Sequence, residues 1–138
     1  MRIRNATAAI LCATGLLFGN GVRAETLWIR LVKASNAAEE TDSRLADVLP
    51  ALAKSLVFKS YSLVAATTIE LPASGREVRL GVYSITCQGP ARNLSIQIRH
   101  EDTPLLYTTV SLQEGKPVLL GGFPATDGRM ILVFVLQR

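Results

Sequence analysis

The stretch VRLGVYSITCQGPARNLSIQIRHEDTPLLYTTVSL, Val78–Leu112, decides the fold class. Apolar and polar residues alternate through it with the period of two that a half-buried strand requires. Val78, Leu80 and Val82 share one phase, while Tyr83, Ile85 and Cys87 run one residue out of step. That slip beside Gly81 predicts a β-bulge or bend. Gln88-Gly89-Pro90 ends the strand. Leu94, Ile96 and Ile98 make the next, with Ser95, Gln97 and Arg99 facing out. His100 to Thr103 turns the chain, and Leu106, Thr108, Val110 and Leu112 form another strand.

Further strands follow toward the C-terminus. Gln113 to Lys116 predicts a tight hairpin, Pro117 to Leu120 the returning strand, Gly121-Gly122 a kink, and Ala125 to Gly128 another turn. The last strand, Met130 to Leu136, is apolar at every position, as expected where both faces are covered.

Toward the N-terminus, Ser60 to Ala66 and Thr67 to Leu71 are strand-like, and Pro72-Ala73-Ser74-Gly75 reads as a turn. Leu45, Val48, Leu49, Leu52 and Leu56 have helical spacing. Pro50 interrupts them. A helix capped at Asp47 would hold Pro50 in its first turn, where no backbone donor is lost; one beginning near Ser43 would kink there. The spacing permits both. Ser35 to Asp42 is a polar loop. Thr26 to Val32 is a first strand, with Leu27, Ile29 and Leu31 on one face and Trp28 on the other. The expected architecture is mainly β (α+β). It is a small antiparallel β-sandwich or barrel-like domain, with one N-terminal amphipathic helix after the first strand and about seven short strands after the helix.

Residues 1–24 have the layout of a secretory signal peptide. Arg2 and Arg4 precede the apolar run Ala6 to Phe18, Gly19-Asn20-Gly21 breaks it, and Val22-Arg23-Ala24 places cleavage after Ala24. The run is shorter than the ~20 residues of a membrane span. Leu11 before Cys12 does not fit a lipoprotein, and Ile3 separates the arginines of a twin-arginine signal. The chain is thus expected to be exported, periplasmic or extracellular, with an outer-membrane association open. Removing 24 of 138 residues leaves 114, a single mostly-β domain over 25–138. Arg2, Arg4 and Arg23 leave with the leader, so twelve of fifteen basic residues face eleven acidic ones. Near-neutral charge with no basic stripe argues against nucleic acid as a partner. Cys12 also leaves, and Cys87 alone admits no internal disulfide. Its apolar strand setting predicts a buried thiol.

No motif specifies a reaction, a metal or a cofactor. His100 beside Glu101 and Asp102 could serve a metal or proton transfer, but no second His or Cys stands at ligand spacing, and a solvated turn is the plainer reading. A Cys87–His100 pair would suit a small thiol enzyme. There is no G-x-S-x-G elbow. Glu39-Glu40 and Glu101-Asp102 are neighbours on loops, and Asp127-Gly128 is a turn signal. Gly115-Lys116 with Gly121-Gly122 lacks phosphate-loop spacing. Asn93-Leu94-Ser95 matches a glycosylation sequon. Among the aromatics Trp28, Tyr61, Tyr83, Tyr107 and Phe123, a shared face would make a ligand groove; packing in the core and rim is the alternative. Trp28, Tyr83 and Tyr107 are the candidate ligand or partner surface. Arg76, Arg79, Arg92 and Arg99 are a basic set that strand geometry can align.

Arg44 to Val64, RLADVLPALAKSLVFKSYSLV, followed by TIELPASG, resembles small exported bacterial proteins of unassigned function. TTVSLQEGKPVLLGGFP, Thr108 to Pro124, is similar to the C-terminal hairpin of outer-membrane secretins. The match covers 17 residues, and the rest of the secretin domain is absent. The resemblance implies an envelope role. The expected function is an exported, non-enzymatic cell-envelope module acting through protein–protein contacts, as an accessory to an assembly or secretion machine. Its partner would be an envelope protein, and its oligomeric state is open. The alternatives are a β-sandwich binding a small ligand, lipid or glycan, and a small thiol-dependent enzyme.

Overall fold

In a computed structural model, residues 25–37 and 40–137 are described. The leader with Cys12, and Glu39, lie outside them. Eight strands follow one another: β1 (Glu25–Ser35), β2 (Ser60–Leu71), β3 (Ala73–Leu80), β4 (Tyr83–Gly89), β5 (Leu94–His100), β6 (Thr103–Val110), β7 (Val118–Ala125) and β8 (Gly128–Gln137). They form two antiparallel four-stranded sheets, ordered β2-β1-β8-β7 (sheet I) and β3-β4-β5-β6 (sheet II). Among the described residues the one α-helix, α1 (Leu49–Ser55), lies between β1 and β2. This is the mainly-β, sandwich-like architecture that the alternation predicts, with seven strands after the helix.

The alternating residues fix the layers. Leu27, Ile29 and Leu31 of β1 meet Leu136, Phe134 and Leu132 of β8 in register, and all six are buried between the sheets. Sheet II answers with Leu80, Tyr83, Ile85, Cys87, Leu94, Ile96 and Ile98. The opposite face of sheet I is covered too. Val32, Ala34, Ile131, Val133 and Val135 pack beneath Leu45, Val48 and Leu52, and Trp28, Leu49 and Leu56 close the edges. The apolar run of β8 follows from this, because its two faces serve two different cores.

The approach to α1 combines parts of both expected solutions. Ser43–Leu45 is a short 3-10 turn capped by Asp42, and the regular helix starts later with Pro50 in its first turn. Val48, not Asp47, is the cap residue, and it gives no side-chain hydrogen bond. The Asp47 carboxylate turns instead to the Arg30 guanidinium.

Three expectations are corrected. The slip at Gly81 is a chain reversal: Leu80 pairs with Tyr83 across a two-residue turn, with Gly81 at φ +61°. Residues i and i+3 of such a turn share a face, so a reversal and a bulge leave the same trace in the alternation. Pro72 alone carries the chain from sheet I to sheet II, because β3 already begins at Ala73. Gln113 and Lys116 do face each other across a turn, but β6 and β7 on either side belong to different sheets. Buried Leu112, whose N–H donates to Ala91 O at 2.8 Å, anchors that crossing to sheet II.

Candidate functional site

Four strands end the two sheets, and an unprotected sheet edge is the feature of a sandwich most open to another chain. Three of the four are blunted. On β2, Tyr61 N–H donates to Thr41 Oγ1, Tyr61 O accepts from Asp42 N–H at 2.8 Å, and Leu63 N–H donates to Asp42 Oδ2. Arg44 also donates to Asp42, holding that carboxyl well below the usual carboxylate range. On β3, a bulge between Ser74 and Arg76 and the charges of Arg76, Glu77 and Arg79 break the edge. On β7, Gly121-Gly122 produces a bulge before Phe123, and Pro124 lacks a donor.

The fourth edge, β6, is different. TPLLYTTV carries no charge. Its only irregularities, Pro104 and a bulge between Ile98 and Arg99, sit at its start. From Leu106 to Val110 it pairs regularly with β5 on one side. Leu106 and Val110 pack inward against the core, while Tyr107 and Thr109 are exposed, Tyr107 at 72%.

The three candidate surface aromatics lie in three places. Trp28 is half-buried on the outer face of sheet I, with the Arg30 guanidinium 5.8 Å from its ring. Tyr83 is only 3% exposed inside the sandwich, stacked on Phe123 at 5.5 Å and edge-on to His100 at 5.6 Å; burial pushes its hydroxyl pKa up. Tyr107 alone stands on an open face. Tyr61 is buried in the outer core, its hydroxyl donating to Leu56 O. The aromatics therefore line no common groove.

Cys87 is buried at the centre of sheet II, and desolvation pushes its thiol up to about 11. It pairs with Ile96, whereas His100 pairs with Tyr83, four residues along each strand. At ~3.4 Å per residue, Cys87 and His100 stand roughly 14 Å apart along the sheet. Among the described residues no group of three His, Cys, Asp or Glu could hold a metal ion. Of the arginines, Arg79 and Arg99 share the outer face of sheet II, Arg92 lies in the Ala91–Asn93 turn at the far end of β5, and Arg76 stands opposite Cys87 on β3. Asp127 and Glu101 adopt positive φ in two-residue turns.

One arrangement carries no sequence motif. Arg30, buried on the outer face of sheet I, donates through both terminal nitrogens to the two Asp47 oxygens at 2.8 Å each. The pairing draws the Asp47 carboxyl pKa down. The signal available was a charged residue between Trp28 and Val32 on a face otherwise apolar. A cleft of about 280 Å³ opens beside this pair, between Asp47 and Val48, Glu114, Gly115 and Pro117 of the sheet crossing, and the end of β8. No aromatic lines it. No family model, curated protein or solved structure matches the chain.

Proposed function

We propose that the chain is an exported, non-enzymatic cell-envelope module that works by protein–protein contact, taking an extended segment of an envelope protein as an added strand along β6. The observation that supports this most is the contrast among the four edges. β2, β3 and β7 are capped, charged or bulged, whereas β6 offers an uncharged run, Leu106–Val110, within which Tyr107 stands in solvent. Strand addition draws affinity from main-chain hydrogen bonds and specificity from alternate side chains. Tyr is suited to such a rim, having a large apolar body and a polar tip. The signal-like leader 1–24 supports placement in the envelope.

Lysine at positions 107 and 109 tests the reading, because charge on an edge strand opposes pairing. Co-purification of a stoichiometric envelope partner with the wild-type protein, and its loss with Tyr107→Lys/Thr109→Lys, is expected. Retention of the partner by a folded double variant would move the contact away from β6.

A further inference from the structure

Arg79, Ser84 and Arg99 stand side by side on three adjacent strands. Arg79 pairs with Ser84, and Ser84 with Arg99, so the three side chains leave the same outer face of sheet II in one row. At ~4.8 Å between strands, the two arginine Cα atoms lie roughly 10 Å apart, with the serine midway. Two features distinguish this row from an ordinary solvated face. Ser84 is buried although it points outward, so its neighbours fold over it. Arg99 Nε is also buried and has no acceptor within the protein.

Neither guanidinium is neutralised. Among the described residues the ion pairs are Arg30–Asp47 and Arg44–Asp42, and Glu77, two residues from Arg79 on the same face, does not pair with it. Two like charges therefore share one row, and one of them holds an unmet donor. A buried donor without an acceptor carries its full desolvation cost, so an added acceptor is favoured there. A guanidinium presents its donors as a planar fork that fits the oxygens of a tetrahedral oxyanion two at a time. Arg79 is exposed on an edge strand, within reach of a group seated against Arg99 two strands away.

We propose that Arg79, Ser84 and Arg99 form a binding site for a phosphate group on the outer face of sheet II. The Arg99 Nε edge and the Ser84 hydroxyl donate to phosphate oxygens, and Arg79 supplies the second positive charge. The site is separate from the main-chain edge of β6 and stands or falls without it.

The test is a backbone-amide NMR titration of the purified protein with inorganic phosphate, at ionic strength held constant with chloride. Saturable shifts centred on Ser84 and its neighbours in β3 and β5 are expected. Arg99→Gln and Arg79→Gln should each weaken binding about tenfold or more, the scale of losing a charged hydrogen bond, and Arg92→Gln should leave it unchanged. Arg99→Lys keeps the charge but loses the fork, and intermediate binding is expected. If Arg99→Gln does not fold, Arg79→Gln on the exposed strand carries the comparison. A second arm uses phosphatidylglycerol against phosphatidylcholine vesicles. Binding to the former that Arg79→Gln abolishes identifies the phosphate as a lipid headgroup, whereas a response to inorganic phosphate alone identifies a free phosphate. If neither probe gives a saturable response, or the response survives both glutamine substitutions, the proposal is overturned.

Discussion

Replacing Asp47 by alanine removes the one ion-pair partner, among the described residues, of a guanidinium that β1 places beneath the α1 layer. The Arg30 side chain is 9% exposed and the Asp47 side chain 52%. Breaking a fully buried pair costs roughly 3–5 kcal/mol, because the remaining charge is stranded. A wholly exposed pair contributes about 0–1 kcal/mol. Here the cation is stranded but the carboxylate is half in water, which screens the pair, so a loss of about 2 kcal/mol is expected for Asp47→Ala. For a domain of this size that is roughly 6–10 °C in Tm. Urea denaturation at pH 7 measures it as a lower midpoint at unchanged slope. The pH dependence has a definite sign. The folded-state pKa of Asp47 is depressed, so its contribution is present above the unfolded value of about 3.9 and is lost as pH falls through the folded one. The gap between wild type and variant should therefore close in acid. A double-mutant cycle with Arg30→Met isolates the pair, and the doubly substituted protein should recover much of the loss. A variant as stable as wild type at pH 7 would refute the reasoning, since Arg30 would then not depend on Asp47.

Other outcomes follow from the same packing. Leu52→Ala empties the centre of the outer core and should cost roughly 2–5 kcal/mol by denaturant titration. Gly128→Ala would drive a Cβ into the Ala34 carbonyl oxygen across the β1–β8 ladder, and a loss of about 1–3 kcal/mol is expected in thermal melts. Native Cys87 should resist a thiol reagent at pH 8 and react promptly in urea, because burial holds the thiol protonated. As its folded pKa is raised to about 11, this group's contribution is intact below the ordinary thiol pKa of about 8.5 and is lost as pH rises toward the folded value; alkaline melts of wild type against Cys87→Ala read that trend.

The alternation of residues 78–136 displayed the layers of the sandwich because each strand has one face in the inner core. The continuous apolar run of β8 announced a second covered face, and α1 supplies it. Connectivity was less legible. A two-residue reversal at Gly81 and a bulge shift the phase equally, and nothing local in Gln113–Lys116 says that the strands around it join different sheets. The surface aromatics were least legible, because period two assigns a face but not a location. Tyr83 faces the same core as Ile85, whereas Tyr107 lies on the outer face of an end strand. Which strand is an edge is a property of the whole sheet, and so the contrast among β2, β3, β6 and β7 emerged only from the topology.

The central claim is that β6 receives a partner's strand, and site-specific photo-crosslinking in the envelope of the producing cell tests it most directly. A photoreactive side chain at position 107 is compared with one at position 57, where Val57 is 96% exposed outside both sheets. The account predicts one abundant heterologous adduct from position 107, absent from position 57 and lost with Thr109→Lys. Equal labelling from both positions, no adduct from either, or an adduct only with a second copy of the chain would contradict it.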